Sequence, residues 1–147
     1  MNVQGILHVN INCSDFERSK AFYEALGFSV LIEVPENGSA EVGAAVGMGP
    51  YKVRGALMAL RQSALIDLLE WKEPRDESAP YPHLYHLGVG RIALTTTDLD
   101  ADVRELEGRG VEMISAPVRV ENLGGFATRF VCFKDPDGTV LELVQQG

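Results

Sequence analysis

Two segments of this sequence, aligned one above the other, decide the fold: GILHVNINCSDFERSKAFYEALGF (residues 5–28) and GVGRIALTTTDLDADVRELEGRGV (residues 88–111). The aligned pairs, all offset by 83 positions without a gap, are His8 with Arg91, Asp15 with Asp98 and Gly27 with Gly110. Similarity within one chain at a constant offset is typical of an internal repeat. The sequence therefore predicts two halves that are built alike.

Both segments predict a strand followed by a helix. Each begins with residues that alternate between two faces of a strand and ends on a glycine, the residue that favours the left-handed conformation closing a helix. Between them, Ser14-Asp-Phe-Glu17 has the spacing of a capping box, and Thr97-Asp-Leu-Asp100 is a weaker version of it.

The two halves also end alike. ALIDLLEW (residues 64–71) and TVLELVQQ (residues 139–146) align as strands, with Asp67 over Glu142. The Asp135-Pro-Asp-Gly138 turn before the second strand is a strong hairpin signal. Each half is therefore predicted as a strand, a helix and three strands, with a first module at residues 1–72, a connector at 73–87 and a second module at 88–147. One helix per sheet leaves each half short of a core, so we expect the halves to pair within one compact domain.

Composition limits the classes of partner. The chain has 147 residues, 46% of them hydrophobic, a net charge of −8 and a pI near 4.8. Because this charge repels a phosphate backbone and an anionic membrane surface, we expect neither nucleic acid nor membrane as a partner. No apolar run reaches the roughly 20 residues of a membrane span, and the N-terminus lacks a secretory pattern. Two cysteines, Cys13 and Cys132, predict reduced thiols in a cytoplasmic protein.

The first strand has an unusually polar face. His8, Asn10 and Asn12 alternate with the apolar residues Leu7, Val9 and Ile11. Side chains two positions apart share a face, so one face of this strand is apolar and the other carries an imidazole and two amides. An ordinary solvent face would carry Lys, Glu or Thr. We therefore interpret the polar face as one that meets a ligand.

Together, the strand with His8, the run from Ser14 to Phe28 and the sequence DPDGTVLELV (residues 135–144) resemble the vicinal oxygen chelate superfamily. That superfamily includes glyoxalase I, extradiol dioxygenases, fosfomycin-resistance transferases, methylmalonyl-CoA epimerase and the bleomycin-binding resistance proteins. The resemblance covers nearly the whole chain. It implies an α+β, glyoxalase-like fold in which two tandem βαβββ modules form a cupped, mostly antiparallel sheet, usually within a homodimer. Function is less specific, since this fold hosts several chemistries and at least one pure binding role.

The resemblance also implies metal ligands on the first and last strands of each module. By position these are His8, Asp67, Arg91 and Glu142. Arg91 stands where the family often has histidine, and a permanently charged guanidinium cannot bind a metal. Either a divalent ion (Zn, Ni, Mn or Fe) is held by His8, Asp67 and Glu142, or Arg91 itself neutralises the carboxylates.

The positive charge of Arg91 slightly favours the metal-free alternative. A fixed cation a few ångströms from a divalent ion costs several kcal/mol at an interior dielectric of about 20. A third interpretation gives Arg91 only a structural role, pairing with Glu142 to hold two strands together. His86 would replace the missing ligand only if the connector folded inward.

Further contacts are predicted around the cup. Asp67 follows His8 by 59 positions, whereas Glu142 follows Arg91 by only 51. We place the excess in residues 33–55, as a short helix at 39–46 and a loop at 47–50. This segment is either a lid or a surface excursion without a ligand. The predicted substrate contacts are Asn10, Asn12, Met48, Tyr51 and Arg54.

Two other segments allow two interpretations each. YPHLYHLG (residues 81–88) is a dimer contact or a pocket wall, and the abundance of aromatic residues favours the interface. VENLGGFATRF (residues 120–130) is a second gate or a plain hairpin loop.

Three classes of function follow. The first is an enzyme of lyase, isomerase or dioxygenase type that acts on a small oxygenated organic molecule, with His8, Arg91 and Glu142 as catalytic residues. A bound metal would polarise vicinal oxygens while Glu142 or Asp67 moves a proton; without one, Arg91 would stabilise negative charge and His8 or Glu142 would transfer the proton. The second is a metal-free protein that binds and sequesters a small molecule, as the bleomycin-resistance type does. The third is a structural or regulatory dimer with a vestigial site.

Overall fold

The computed structural model describes residues 1–80, 83–123 and 125–147. The chain divides into two compact units, Met1–Ser78 and Ala79–Gly147. The division falls within the segment that the sequence assigns to the connector. Tyr81 and Pro82 of the aromatic segment, and Gly124 of the proposed second gate, lie outside the described residues.

The first unit contains one four-stranded sheet. Its elements are β1 (His8–Asn12), α1 (Phe16–Ala25), β2 (Ser29–Asn37), α2 (Ala40–Ala45), β3 (Lys52–Ala59) and β4 (Leu65–Glu73). The strand order is β1-β4-β3-β2, with β1 parallel to β4 and the other neighbours antiparallel. The short helix α2 lies in the predicted insertion, within the segment expected to be helical.

The second unit repeats this arrangement. Its elements are β5 (Ile92–Thr95), α3 (Leu99–Gly108), β6 (Val118–Leu123), β7 (Phe126–Lys134) and β8 (Val140–Gln146). The strand order is β5-β8-β7-β6, and β5 is again parallel to β8. The predicted α+β class and the repeat of strand, helix and three strands are confirmed.

Both long helices begin one residue later than the capping boxes predict. The N-cap of α1 is Asp15, not Ser14, and its carboxylate accepts a hydrogen bond of 3.0 Å from the backbone N–H of Arg18. In the second unit, Asp98 rather than Thr97 caps α3 through Ala101. Each helix is followed by a glycine with positive φ, at Gly27 and Gly110, as the sequence predicts. Asp15 and Asp98 lie one position after Ser14 and Thr97, and an aspartate can cap a helix as well as a serine or threonine can. The spacing of the capping box therefore predicted each N-cap one residue too early.

Each sheet buries one face against its helix. In the first unit α1 packs on β4, and the fully buried Tyr23 lies with Met58 and Leu68 in the core. In the second unit α3 packs on β8, where Phe133 and Leu141 are fully buried. We call the opposite side of each sheet its helix-distal face. Among the described residues, no helix has the length and apolar character required to cross a membrane.

Candidate functional site

Strand β1 presents its polar residues on the helix-distal face of the first sheet. His8, Asn10 and Asn12 are exposed, whereas Ile11 between them is only 3% exposed. The parallel register pairs Asn10 with Asp67 of β4, and directly paired residues share a face. The polar face of β1 is therefore confirmed, and Asp67 lies on it. The predicted apolar face is shorter than expected, because Leu7 precedes the strand and is 72% exposed.

His8 and Asp67 form an imidazole–carboxylate pair on this face. His8 Nε2 lies 4.0 Å from Asp67 Oδ2, and the side chains are 42% and 20% exposed. Burial raises the pKa of the Asp67 carboxyl, and the His8 charge only partly opposes this rise. A carboxyl that retains its proton more readily than usual, next to an imidazole, is suited to general acid–base chemistry.

The two asparagines are held in place by β4. The Asn10 side-chain amide donates to the backbone oxygen of Asp67 at 2.9 Å, and Asn12 Oδ1 accepts from the Trp71 indole N–H at 2.8 Å. Trp71 in turn packs edge-on against Tyr51, with ring centroids 5.7 Å apart. The structure thus brings together Asn12 and Tyr51, two of the predicted substrate contacts, on either side of Trp71.

Trp71 is not among the substrate contacts predicted from the sequence. The alternation of β4 gives a signal that could have found it, because residues four positions apart on a strand share a face. Trp71 follows Asp67 by four positions and is half-buried on the same helix-distal face.

The structure does not bring Arg54 to His8 and Asp67. Arg54 pairs in register with Glu70, on the side of the sheet that faces α1. Its Nε donates to Glu70 at 2.7 Å, and its guanidinium lies over the Phe16 ring, 5.1 Å from the centroid. Met48 is half-buried in the loop after α2. The role of this segment as a lid stays a prediction.

Glu70 is a buried acid that sequence reasoning missed. Its side chain is 4% exposed, and it receives hydrogen bonds from Arg54, from Lys72 and, at 3.3 Å, from the backbone N–H of Phe16. Burial alone would raise the pKa of Glu70, but the hydrogen bonds from Lys72 and Arg54 bring it below its usual range. Because Phe16 starts α1, the Glu70 carboxylate fastens this helix to the sheet. The run EWKEPR resembles an exposed charged connector and gave no sign of this burial.

In the second unit, Arg91 and Glu142 form an ion pair. Arg91 Nε donates to Glu142 Oε2, and Glu142 is only 7% exposed. The register places Ala93 on one side of Glu142 and Cys132 on the other, so all three lie on the helix-distal face of the second sheet. The pair is common to two interpretations of the sequence, neutralisation of a carboxylate by Arg91 at a metal-free site and a structural link between two strands.

His86 was the candidate to replace the missing metal ligand. It lies in an exposed segment, where its ring stacks on those of His83 and Tyr85 with centroid distances of 5.6 and 5.4 Å. The ring atom Nδ1 is 2.9 Å from the His83 carbonyl oxygen.

The pKa of the Cys132 thiol depends on the charge of Glu142. Cys132 is half-buried, and burial together with the Glu142 charge raises the pKa of its thiol, while Arg91 opposes the rise. We expect iodoacetamide to alkylate Cys132 more slowly at pH 8 than an ordinary cysteine, whose pKa is about 8.5. Glu142→Gln should accelerate the reaction, whereas Glu121→Gln on exposed β6 should not. Peptide mapping by mass spectrometry separates Cys132 from Cys13, and equal rates in the two variants would contradict this placement.

The described residues do not form a complete metal-ligand set. His8 and Asp67 offer two donors, but the Glu142 carboxylate is already bound by Arg91. Over residues 1–80, 83–123 and 125–147, no three His, Cys, Asp or Glu side chains gather at one point. A catalytic zinc site takes three protein ligands and a structural site four. The donors in the described residues therefore do not fit a catalytic zinc ion.

Known proteins match the chain over nearly its full length. A family model described as the Glyoxalase/Bleomycin resistance protein/Dioxygenase superfamily matches residues 5–143. "Uncharacterized protein YwkD" of Bacillus subtilis (strain 168) is 36% identical over 154 aligned positions, covering 99% of this chain and all of the relative. "Uncharacterized protein YaeR" of Escherichia coli (strain K12) is 30% identical and covers 99% of both chains.

Solved structures share the fold. A glyoxalase family protein from Bacillus cereus superposes with a TM-score of 0.82 at 22% identity, covering 99% of this chain and 98% of the other. TnmS3, an antibiotic binding protein from Streptomyces sp. CB03234, superposes with a TM-score of 0.65 at 26% identity, covering 100% and 99%. Together with the two repeated units, these matches confirm the resemblance noted in the sequence. The chain belongs to the glyoxalase/bleomycin resistance protein/dioxygenase superfamily.

Proposed function

We propose that the protein is an enzyme that transfers a proton on a small oxygenated organic molecule. The observation that carries this proposal is the His8–Asp67 pair, 4.0 Å apart, with burial raising the pKa of the carboxyl. His8 accepts a proton from a carbon next to a carbonyl, and the C–H electron pair moves onto the carbonyl oxygen. The proton then passes from the His8 imidazolium through the Asp67 carboxyl to the product, which restores both side chains. This is isomerase or lyase chemistry.

Arg91 supplies the electrostatic part of the proposal. Its guanidinium is ion-paired with Glu142, so its charge is held in a defined position before the substrate arrives. A fixed cation is suited to stabilising the oxyanion that develops during proton transfer.

A second candidate is a binding protein without chemistry. It is supported by the similarity to TnmS3, an antibiotic binding protein, over the whole chain. The cluster of Asn12, Trp71 and Tyr51 also supports it, since aromatic rings and a few oriented amides are typical of sites for drug-sized ligands. A homodimer and a cytoplasmic location stay predictions from the sequence.

Turnover and metal content together test the proposal. Protein purified without added metal is assayed against hydroxy and keto acids, thiol adducts, catechols and acyl thioesters, and its metal content is measured in parallel. We expect turnover without a stoichiometric ion, and loss of turnover with retained affinity in His8→Gln. Binding without turnover for every compound would favour the second candidate.

The metal measurement separates two forms of the site. A stoichiometric ion that is lost in His8→Ala together with turnover would contradict the metal-free form of the enzyme. Arg91→His restores an imidazole at the position where the family often has one. If this variant gains an ion while the parent has none, the direct ion pair of Arg91 is the reason that the parent lacks a complete ligand set.

A further inference from the structure

Two cations flank one valine on the helix-distal face of the second sheet. Lys134 of β7 pairs in register with Val140 of β8. Arg91 immediately precedes β5, whose first residue, Ile92, pairs with Leu141, so Arg91 lies beside Val140 from the other side. Neighbouring strands are about 4.8 Å apart, which places the backbones of Arg91 and Lys134 about 10 Å apart across the sheet.

We call Arg91, Val140 and Lys134 the row, and its positive charge is only partly neutralised. Glu142 accepts from Arg91 Nε, but the Arg91 side chain is 46% exposed and its Nη groups have no hydrogen bond to any other described residue. Lys134 is exposed, and no carboxylate within the described part of the chain lies at ion-pair distance from it. Two positive charges therefore face one negative charge, in a protein whose net charge is −8. One added oxyanion would balance the row.

The surface beyond the row is apolar. Moving along the strands past Glu142 and Cys132, the next row on the same face contains Val144 and Phe130, both half-buried. Val118 of the edge strand β6 pairs with Phe130 and is 43% exposed. A molecule with an anionic end and an apolar body matches this order of side chains, because pockets combine apolar walls with a few polar groups that set orientation.

We propose that the helix-distal face of the second unit binds an organic oxyanion, a carboxylate or a phosphonate, between Arg91 and Lys134. The apolar body of the ligand lies against Val144 and Phe130. This inference rests on the proposed function, since it names the charge of the small molecule on which the protein is proposed to act. Lys134 is a residue that determines specificity: it attracts the oxyanion and takes no part in proton transfer.

Binding of benzoate and of its neutral counterpart benzamide tests the inference. The variant is Lys134→Gln, and the matched control is Arg109→Gln, which removes one positive charge from an exposed side chain at the end of α3 in the same unit. Titrations followed by amide NMR shifts give the affinities without any need for turnover. We expect benzoate to bind about 10-fold more tightly than benzamide, which corresponds to one well-placed charged contact. Lys134→Gln should abolish this preference, Arg109→Gln should retain it, and added salt should weaken it.

Three results would overturn the inference: equal affinity for benzoate and benzamide, no measurable binding of either, or a preference that survives in Lys134→Gln. The failure of the proposed function looks different. In that case benzoate binding still depends on Lys134, but no compound is turned over, or turnover is unchanged in His8→Gln.

Discussion

Asp67→Asn is expected to lower turnover by about 10²- to 10⁴-fold, the range that a positioned acid or base contributes. Asparagine keeps the size and much of the polarity of the side chain but cannot exchange a proton with the substrate. The measurement is kcat and kcat/KM on the substrate that the compound panel identifies. Asp76→Asn, at an exposed position in the same unit, is the control and should leave both constants unchanged.

The stability of the same variant separates chemistry from folding. Because burial raises the Asp67 pKa, the folded protein holds this proton more tightly than the unfolded chain does. The contribution of Asp67 to stability therefore falls as pH rises from the ordinary carboxyl range through the raised value. At neutral pH Asp67→Asn should be at least as stable as the parent in thermal unfolding. A variant that keeps its turnover, or loses it only by unfolding, would contradict the role of Asp67.

Glu70→Gln is expected to destabilise the protein by roughly 3 kcal/mol at neutral pH, because breaking a buried ion pair leaves its partners uncompensated. Glu70 is 4% exposed and accepts from Arg54, Lys72 and the first N–H of α1, so the change weakens the attachment of the helix to the sheet. Urea unfolding measures the loss.

Glu73→Gln on the same strand provides the control. Glu73 is 65% exposed and pairs with Lys52, and exposed pairs contribute about 1 kcal/mol or less. Equal decreases in unfolding free energy in Glu70→Gln and Glu73→Gln would show that Glu70 and its partners contribute no more stability than a surface ion pair.

Acid should reduce the effect of Glu70→Gln. The pKa of Glu70 is lowered in the folded protein, so its stabilisation is present above the unfolded carboxyl pKa and is lost as pH falls through the folded value. The difference in unfolding free energy between the parent and Glu70→Gln should therefore shrink on acidification. A difference that persists at low pH would mean that the charge of Glu70 is not its cause.

Local sequence patterns were sufficient to predict much of the fold. The 83-position offset, the alternation of β1 and the glycines after each helix predict two strand–helix–three-strand units and the polar face with His8. The alternation and the glycines reflect the backbone geometry of a single element, and the offset shows that the same elements occur twice. They need no knowledge of which strand lies next to which. The same alternation placed Asp67 and Glu142 on the strands that end each unit.

Contacts between distant residues required the tertiary structure. Alternation assigns Arg54 to one of two faces but does not say that α1 covers that face, so Arg54 was expected at the substrate and instead pairs with Glu70. The hydrogen bond from Trp71 to Asn12 depends on the register of β4 against β1, across 59 positions of sequence.

The sequence by itself determined the kinds of element, their order and their repetition, because these follow from local periodicity and turn chemistry. Only the tertiary structure decided which carboxylates are buried and which cation neutralises each of them. Strand order and register bring those partners together over 16 positions for Glu70 and Arg54 and over 51 positions for Glu142 and Arg91. A pattern of hydrophobic and polar residues does not carry that information.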